Sequence, residues 1–315
     1  MAEQQSNSEK KLYTQEELNA LTLQTIGKLM GTYSGKDRVI TPENTYQPAI
    51  TGGRATMESF MELLMLPGSG IQGLENLDDC LERLAKGEQV LFLADHICNM
   101  DVPLFNSLLR REHPRYLDIL ERLVYIAGRK LNESSDLMKM FSEMYSRLVI
   151  VPRRDYPPEK PDETPEEHAE REQFEQYAMR INRAAFREMG RLRKKGHIFV
   201  LFPLGGRYKP GKANEPVKET TSYLNHFNTV YLISMEGNVL PVKDRMEEER
   251  PVHDKVVYRV SPALNTADFL ASQKEKFTQA SQAGALPEGM EFEEYTVKRI
   301  MAMLDEVRQT GKYKD

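Results

Sequence analysis

From Gln89 onward the chain keeps returning to one phrase, a short run of apolar and β-branched residues followed by a stretch of helical character. The runs are VLFLA (90–94), LVYIA (123–127), RLVIV (147–151), HIFVLF (197–202), TVYLISM (229–235) and KVVYRV (255–260). Runs this short and apolar throughout suit strands buried on both faces, and strands separated by helices join most simply through parallel crossovers. The pattern predicts an α/β fold, with a mostly parallel central sheet flanked by helices.

Before Gln89 the pattern is helical. Thr14 and Glu17 form a capping box ahead of LNALTLQTIGKLM, a second amphipathic stretch covers 54–66, and a third covers 74–86 with Gly87 as its stop. The segment GTYSGKDRVITPENTYQPAITGG (31–53) reads as loop. This predicts an N-terminal helical domain over residues 1–76 and an α/β domain over 77–315. Inside the latter, TPEE (164–167) starts a long helix with Thr164 at the N-cap and Pro165 at the first helical position, running to about Lys195. The connector before it, PRRDYPPEKPDETP (152–165), is proline-rich and acidic, and Glu288 to Thr310 closes the chain as a helix.

Composition removes several function classes. The 315 residues carry a net charge of only −5, which gives no global attraction to nucleic acid or anionic lipid. Two cysteines and a charged start, MAEQQSNSEKK, predict a reduced, cytoplasmic protein, at most peripheral on a membrane. The most apolar window, FMELLML (60–66), falls far short of the ~20 residues a spanning helix needs. No H-E-x-x-H or paired C-x-x-C suggests a metal, no G-x-S-x-G elbow suggests a serine nucleophile, and no cofactor is expected.

The informative chemistry lies after the strands. His96 follows the run 90–94 where the chain turns toward a helix, and Asp101 stands five positions later. Ligands of open α/β sheets bind at the carboxyl ends of strands, so the two can form a base and its orienting carboxylate. The spacing alone is weak, because HPRYLD (113–118) has it too. Asp101 also suits an ordinary helix N-cap, with Pro103 in the first turn. Cys98 between them reads as buried filler rather than nucleophile. After the run 197–202 come Gly205, Gly206, Arg207 and Lys209, and after 147–151 come Arg153 and Arg154. Glycines let a backbone approach a ligand, and an arginine fork holds a phosphate on two oxygens. The basic stretch REMGRLRKKG (187–196) reads as cations complementing a helix C-terminus.

One motif points elsewhere. GSGIQG (68–73) fits a dinucleotide fingerprint, with Asp95 near the offset of a ribose-binding acid, and would make the protein an NAD(P)-dependent oxidoreductase. The residues before it, TMESFMELLML (56–66), favour helix where a Rossmann fold needs a Val/Ile-rich strand, so the glycines read as a flexible joint.

The order H-x4-D after a first strand, YIAGRK (125–130), FPLGGR (202–207) and VLP (239–241) resembles the four blocks of the glycerolipid acyltransferase superfamily, within it the soluble, chloroplast-type glycerol-3-phosphate acyltransferases. The resemblance covers roughly Leu77 to Val242. It implies His96 as general base, Asp101 as its orienting carboxylate, and Arg154, Arg207 and Lys209 as phosphate ligands beside the Gly205–Gly206 backbone. Three departures stand out: Lys209 where the family has arginine, Asp155 where it has histidine, and Leu204 in place of the broader superfamily's glutamate. The implied reaction moves an acyl group from acyl carrier protein or acyl-coenzyme A to the sn-1 hydroxyl of glycerol 3-phosphate. Lysophosphatidate acyltransferase, from the same superfamily, is the alternative.

Overall fold

The computed structural model describes residues 11–35, 39–132, 135–212, 214–245 and 248–314; the opening stretch and part of the loop expected at 31–53 lie outside them. Among the described residues nine strands form a single sheet: β1 (Tyr46–Gln47), β2 (Gly70–Gln72), β3 (Val90–Ala94), β4 (Leu123–Gly128), β5 (Arg147–Ile150), β6 (Ile198–Leu201), β7 (Thr229–Glu236), β8 (Val257–Val260) and β9 (Leu264–Asn265). Their order is β1-β5-β4-β6-β3-β7-β8-β2, with β9 beside the start of β7. The strands from β5 to β7 are parallel, while β1, β8 and β9 pair antiparallel. The sheet is therefore mixed at its margins and parallel at its centre.

All five residues of β3 are buried, as a central parallel strand requires. Alternate side chains serve two cores. Val90, Phe92 and Ala94 meet α2 (Arg54–Leu64), α3 (Leu74–Ala85) and α4 (Asp101–Glu112). Leu91 and Leu93 meet α7 (Pro165–Arg193) and α10 (Phe292–Thr310) on the other face. Burying a side chain such as Phe92 contributes about 1.5–3 kcal/mol. Both expected capping boxes form, Thr14 with Glu17 on α1 (Gln15–Met30) and Thr164 with Glu167 on α7.

The first 76 residues depart from the helical expectation. They supply β1 and β2 to the sheet, and Leu18, Leu29, Met57, Met61 and Leu64 share one core with Phe92 of β3 and Leu104 of α4. An amphipathic helix must bury its apolar stripe, and here the sheet face is what covers it. Met57, Met61 and Met65 are all fully buried, so the Met-rich helix is core.

The middle of GSGIQG is a strand rather than a joint or a nucleotide loop. Gly70 to Gln72 pair parallel with Val257 to Arg259. The Ile71 N–H donates to the Glu112 carboxylate, which also lies over Gly70. A negative side chain in that place repels a pyrophosphate. Among the described residues no helix is long and apolar enough to cross a membrane, and no group of three or more His, Cys, Asp or Glu side chains could hold a metal ion.

Candidate active site

Because β5, β4, β6, β3 and β7 run parallel, the loops after them emerge at one edge of the sheet. The chain moves from β3 outward to β4 and β5, returns to β6, and then crosses β3 to β7. Open α/β sheets bind ligands at such a reversal, and His96 stands at the end of β3, beside it.

His96 Nδ1 lies 2.9 Å from Asp101 Oδ2, and the ring stacks on Phe202 with centroids 4.4 Å apart. The histidine side chain is 22% exposed and the aspartate 3%, so a buried carboxylate backs a ring that reaches solvent. Asp101 is not the N-cap of α4. It is the first helical residue, and its carboxylate turns back to accept from the Ile97 N–H at 2.6 Å, the Cys98 N–H at 3.0 Å and the Cys98 thiol at 3.0 Å. An ionised carboxylate only accepts, so neutral His96 carries its proton on Nδ1 and leaves the Nε2 lone pair free. The Tyr258 hydroxyl donates to the Asp101 carbonyl at 2.8 Å and holds the start of α4 against β8. Burial pushes the Cys98 thiol well above its ordinary range, and the adjacent Asp101 charge adds to this, so it stays protonated as a donor.

The competing His-Asp spacing forms no such pair. His113 is exposed and accepts from the Arg115 N–H, while Asp118 pairs with Arg122.

The cations converge on the loop after β6. The Tyr208 N–H donates to the His96 carbonyl at 2.7 Å, tying that loop to the histidine. Arg207 is 19% exposed and donates to Glu249, a buried carboxylate in the loop after β7. Arg154 donates to the Gly205 carbonyl and lies over both glycines. At Gly205 φ is +61°, and a Cβ there would stand 2.6 Å from Val217 Cγ2 and 3.2 Å from the Arg154 guanidinium. Glycine at 205 thus admits the Val217 and Arg154 side chains. Lys209 is exposed, and its backbone is clasped by the Asn214 side chain. Arg153 turns onto the Tyr156 ring. Asp155 is claimed by Lys130 at 2.9 Å.

Patterns in the sequence do not point to Glu249, Asn99 or Phe202 as parts of the site, because their roles arise from contacts between distant loops. Asp95 also plays a different part from the one its motif suggests. Its carboxylate accepts from Arg308 of α10 at 2.7 Å and from the Met235 N–H at 3.0 Å. Burial raises the Asp95 pKa, and the Arg308 charge opposes that shift. Arg308→Ala is expected to cost about 3–5 kcal/mol by leaving a buried carboxylate unpaired. Without Arg308 the folded-state pKa of Asp95 rises further above its unfolded value. Protonation then favours the fold, and the melting-temperature deficit should shrink as pH falls from neutral into the mildly acidic range. A deficit independent of pH would deny Asp95 that role.

No family model matches the chain, and no curated protein matches it. Among solved structures, the 1-acyl-sn-glycerophosphate (LPA) acyltransferase PlsC from Thermotoga maritima aligns over 94% of this chain and 98% of its own, at 16% identity and a TM-score of 0.46. At that score the likeness carries no weight for function, which therefore rests on the geometry of the site.

Proposed function

We propose that the protein is an acyltransferase that moves an acyl group from an acyl thioester to the hydroxyl of a small phosphate-bearing alcohol of the glycerolipid kind. The observation that carries this is the 2.9 Å contact between His96 and the buried Asp101 carboxylate, on a ring that reaches solvent at the end of β3 and whose backbone carbonyl is tied to the loop that carries Arg207.

The chemistry follows from that arrangement. An alcohol is a poor nucleophile at neutral pH. His96 Nε2 takes the hydroxyl proton as the oxygen attacks the thioester carbonyl, and Asp101 holds the imidazolium that results. Collapse of the tetrahedral intermediate breaks the C–S bond, and the departing thiolate recovers the proton from Nε2. Base catalysis of this kind contributes about 10²- to 10⁴-fold. Arg207, with Arg154 and Lys209 nearby on the same loop surface, fixes the phosphate and makes the attack a positioned step.

Glycerol 3-phosphate and lysophosphatidate both present a hydroxyl at a short reach from a phosphomonoester. The block pattern of the sequence favours the first. A thiol-release assay with acyl-coenzyme A or acyl carrier protein and each acceptor in turn tests the proposal. No release with either would overturn it, and their relative kcat/KM identifies the acceptor. Arg207→Ala should raise the KM for that acceptor by about 10- to 100-fold, the loss of one charge-assisted contact, while the KM for the thioester holds. An unchanged acceptor KM would remove Arg207 from the site.

A further inference from the structure

The loop after β7 brings a carboxylate to the edge of the cation cluster. Glu249 has a side chain only 2% exposed, and both of its oxygens are engaged: Oε1 accepts from Arg207 Nη1 at 2.5 Å and Oε2 from Asn99 Nδ2 at 3.2 Å. Asn99 belongs to the loop that carries His96, so the contacts run without a break from the base loop through Asn99 and Glu249 to Arg207. A second tie runs in parallel through the Tyr208 N–H and the His96 carbonyl. Burying a carboxylate is costly, and here the cost is offset by a guanidinium that itself faces a proposed anion site.

We infer that Glu249 is the positioning residue of the acceptor site. It anchors Arg207 by one N–H, leaves the other guanidinium donors for the phosphate, and fixes the distance between that phosphate and His96. Among the described residues Arg207 makes no other hydrogen bond, and a guanidinium carries five N–H donors. A loose arginine would bind the same phosphate but lose ordering entropy with each binding event. Held at a set spacing from the base, it also determines which hydroxyl of the acceptor reaches Nε2. This inference rests on the acyltransferase reading and adds to it a residue that acts through Arg207.

The test compares wild type, Glu249→Gln, Arg207→Ala and the double variant. Glutamine keeps the size of the side chain and removes its charge. Glu249→Gln is expected to raise the acceptor KM by about tenfold. The thioester KM should hold and kcat should move less than the acceptor KM. Added to Arg207→Ala, it should have no further effect on KM, because a residue that acts through Arg207 has nothing left to position. An unchanged acceptor KM, or a full additional rise on the Arg207→Ala background, would overturn the proposal. Should Glu249→Gln fail to fold, Asn99→Ala, which frees only Oε2, is read in its place; a smaller rise in the same KM is expected, and no rise overturns the proposal. Binding of inorganic phosphate by calorimetry reads the same contacts without turnover. Weaker binding by Glu249→Gln than by wild type is expected even if wild type acylates neither acceptor, which would sink the acyltransferase reading alone. Equal binding, or none by wild type, sinks the role of Glu249.

Discussion

Replacing His96 by alanine is expected to abolish acyl transfer and leave the fold intact. The ring reaches solvent at the end of β3, and among the described residues it is hydrogen-bonded to Asp101 and stacked on Phe202. Losing a proton acceptor in the transition state costs about 10²- to 10⁴-fold in rate. The structural loss is smaller. Asp101 keeps the Ile97 N–H, the Cys98 N–H and the Cys98 thiol, so no buried charge is orphaned. One hydrogen bond to a charged group contributes about 1.5–3 kcal/mol, against a total stability of about 5–15 kcal/mol. Thiol release should fall to background while calorimetry still shows a cooperative melt, lowered by several degrees at ~2–4 °C per kcal/mol. A folded His96→Ala protein that turns over within about tenfold of wild type would rule out the base assignment.

What the sequence makes plain, and what it hides, follows from the range of the forces involved. The six apolar runs each become a strand, because a segment buried on both faces must be apolar throughout whatever its neighbours do. The strands that escape such a reading are β1, β2 and β9, two or three residues long, whose pairing depends on partners far away in the chain. Among the described residues no α-helix separates β7 from β8, and β8 returns antiparallel to β7. At the site, His96 is readable from its place after a strand. The turn of Asp101 back toward 96–98 is not, since one position separates an N-cap from a first helical residue. Glu249 lies 42 residues from the arginine it holds, and local pattern does not reach that far.

Asp101→Asn should lose activity nearly as completely as His96→Ala, and for a different reason that a second measurement can separate. The carboxylate is an acceptor on both oxygens, meeting four donors: His96 Nδ1, the two backbone N–H groups and the thiol. An amide replaces one of those oxygens with a donor. If its NH2 takes the Oδ2 position, it faces His96 Nδ1 and favours the tautomer with the proton on Nε2, and the Ile97 N–H, which shares that oxygen, loses its acceptor. That ring has no lone pair directed at the substrate. By analogy with buried aspartates that orient a catalytic histidine elsewhere, the expected loss in kcat is on the order of 10³- to 10⁴-fold. If the amide is reversed, its oxygen keeps His96 and the Ile97 N–H while its NH2 meets the Cys98 N–H and thiol, and at least one buried group loses its partner, at about 1–3 kcal/mol. Either arrangement weakens the loop that Asp101 organises, so the melting temperature should fall by several degrees, at ~2–4 °C per kcal/mol. The two variants lose similar stability, about 1–3 kcal/mol each, so the roles are separated by the state of the His96 ring. Nitrogen-15 shifts of the His96 ring should show the proton on Nδ1 in wild type and on Nε2 in Asp101→Asn. Wild-type turnover in Asp101→Asn, or an unchanged tautomer accompanied by lost activity, would reduce Asp101 to a structural tie for its loop and leave His96 without an orienting partner.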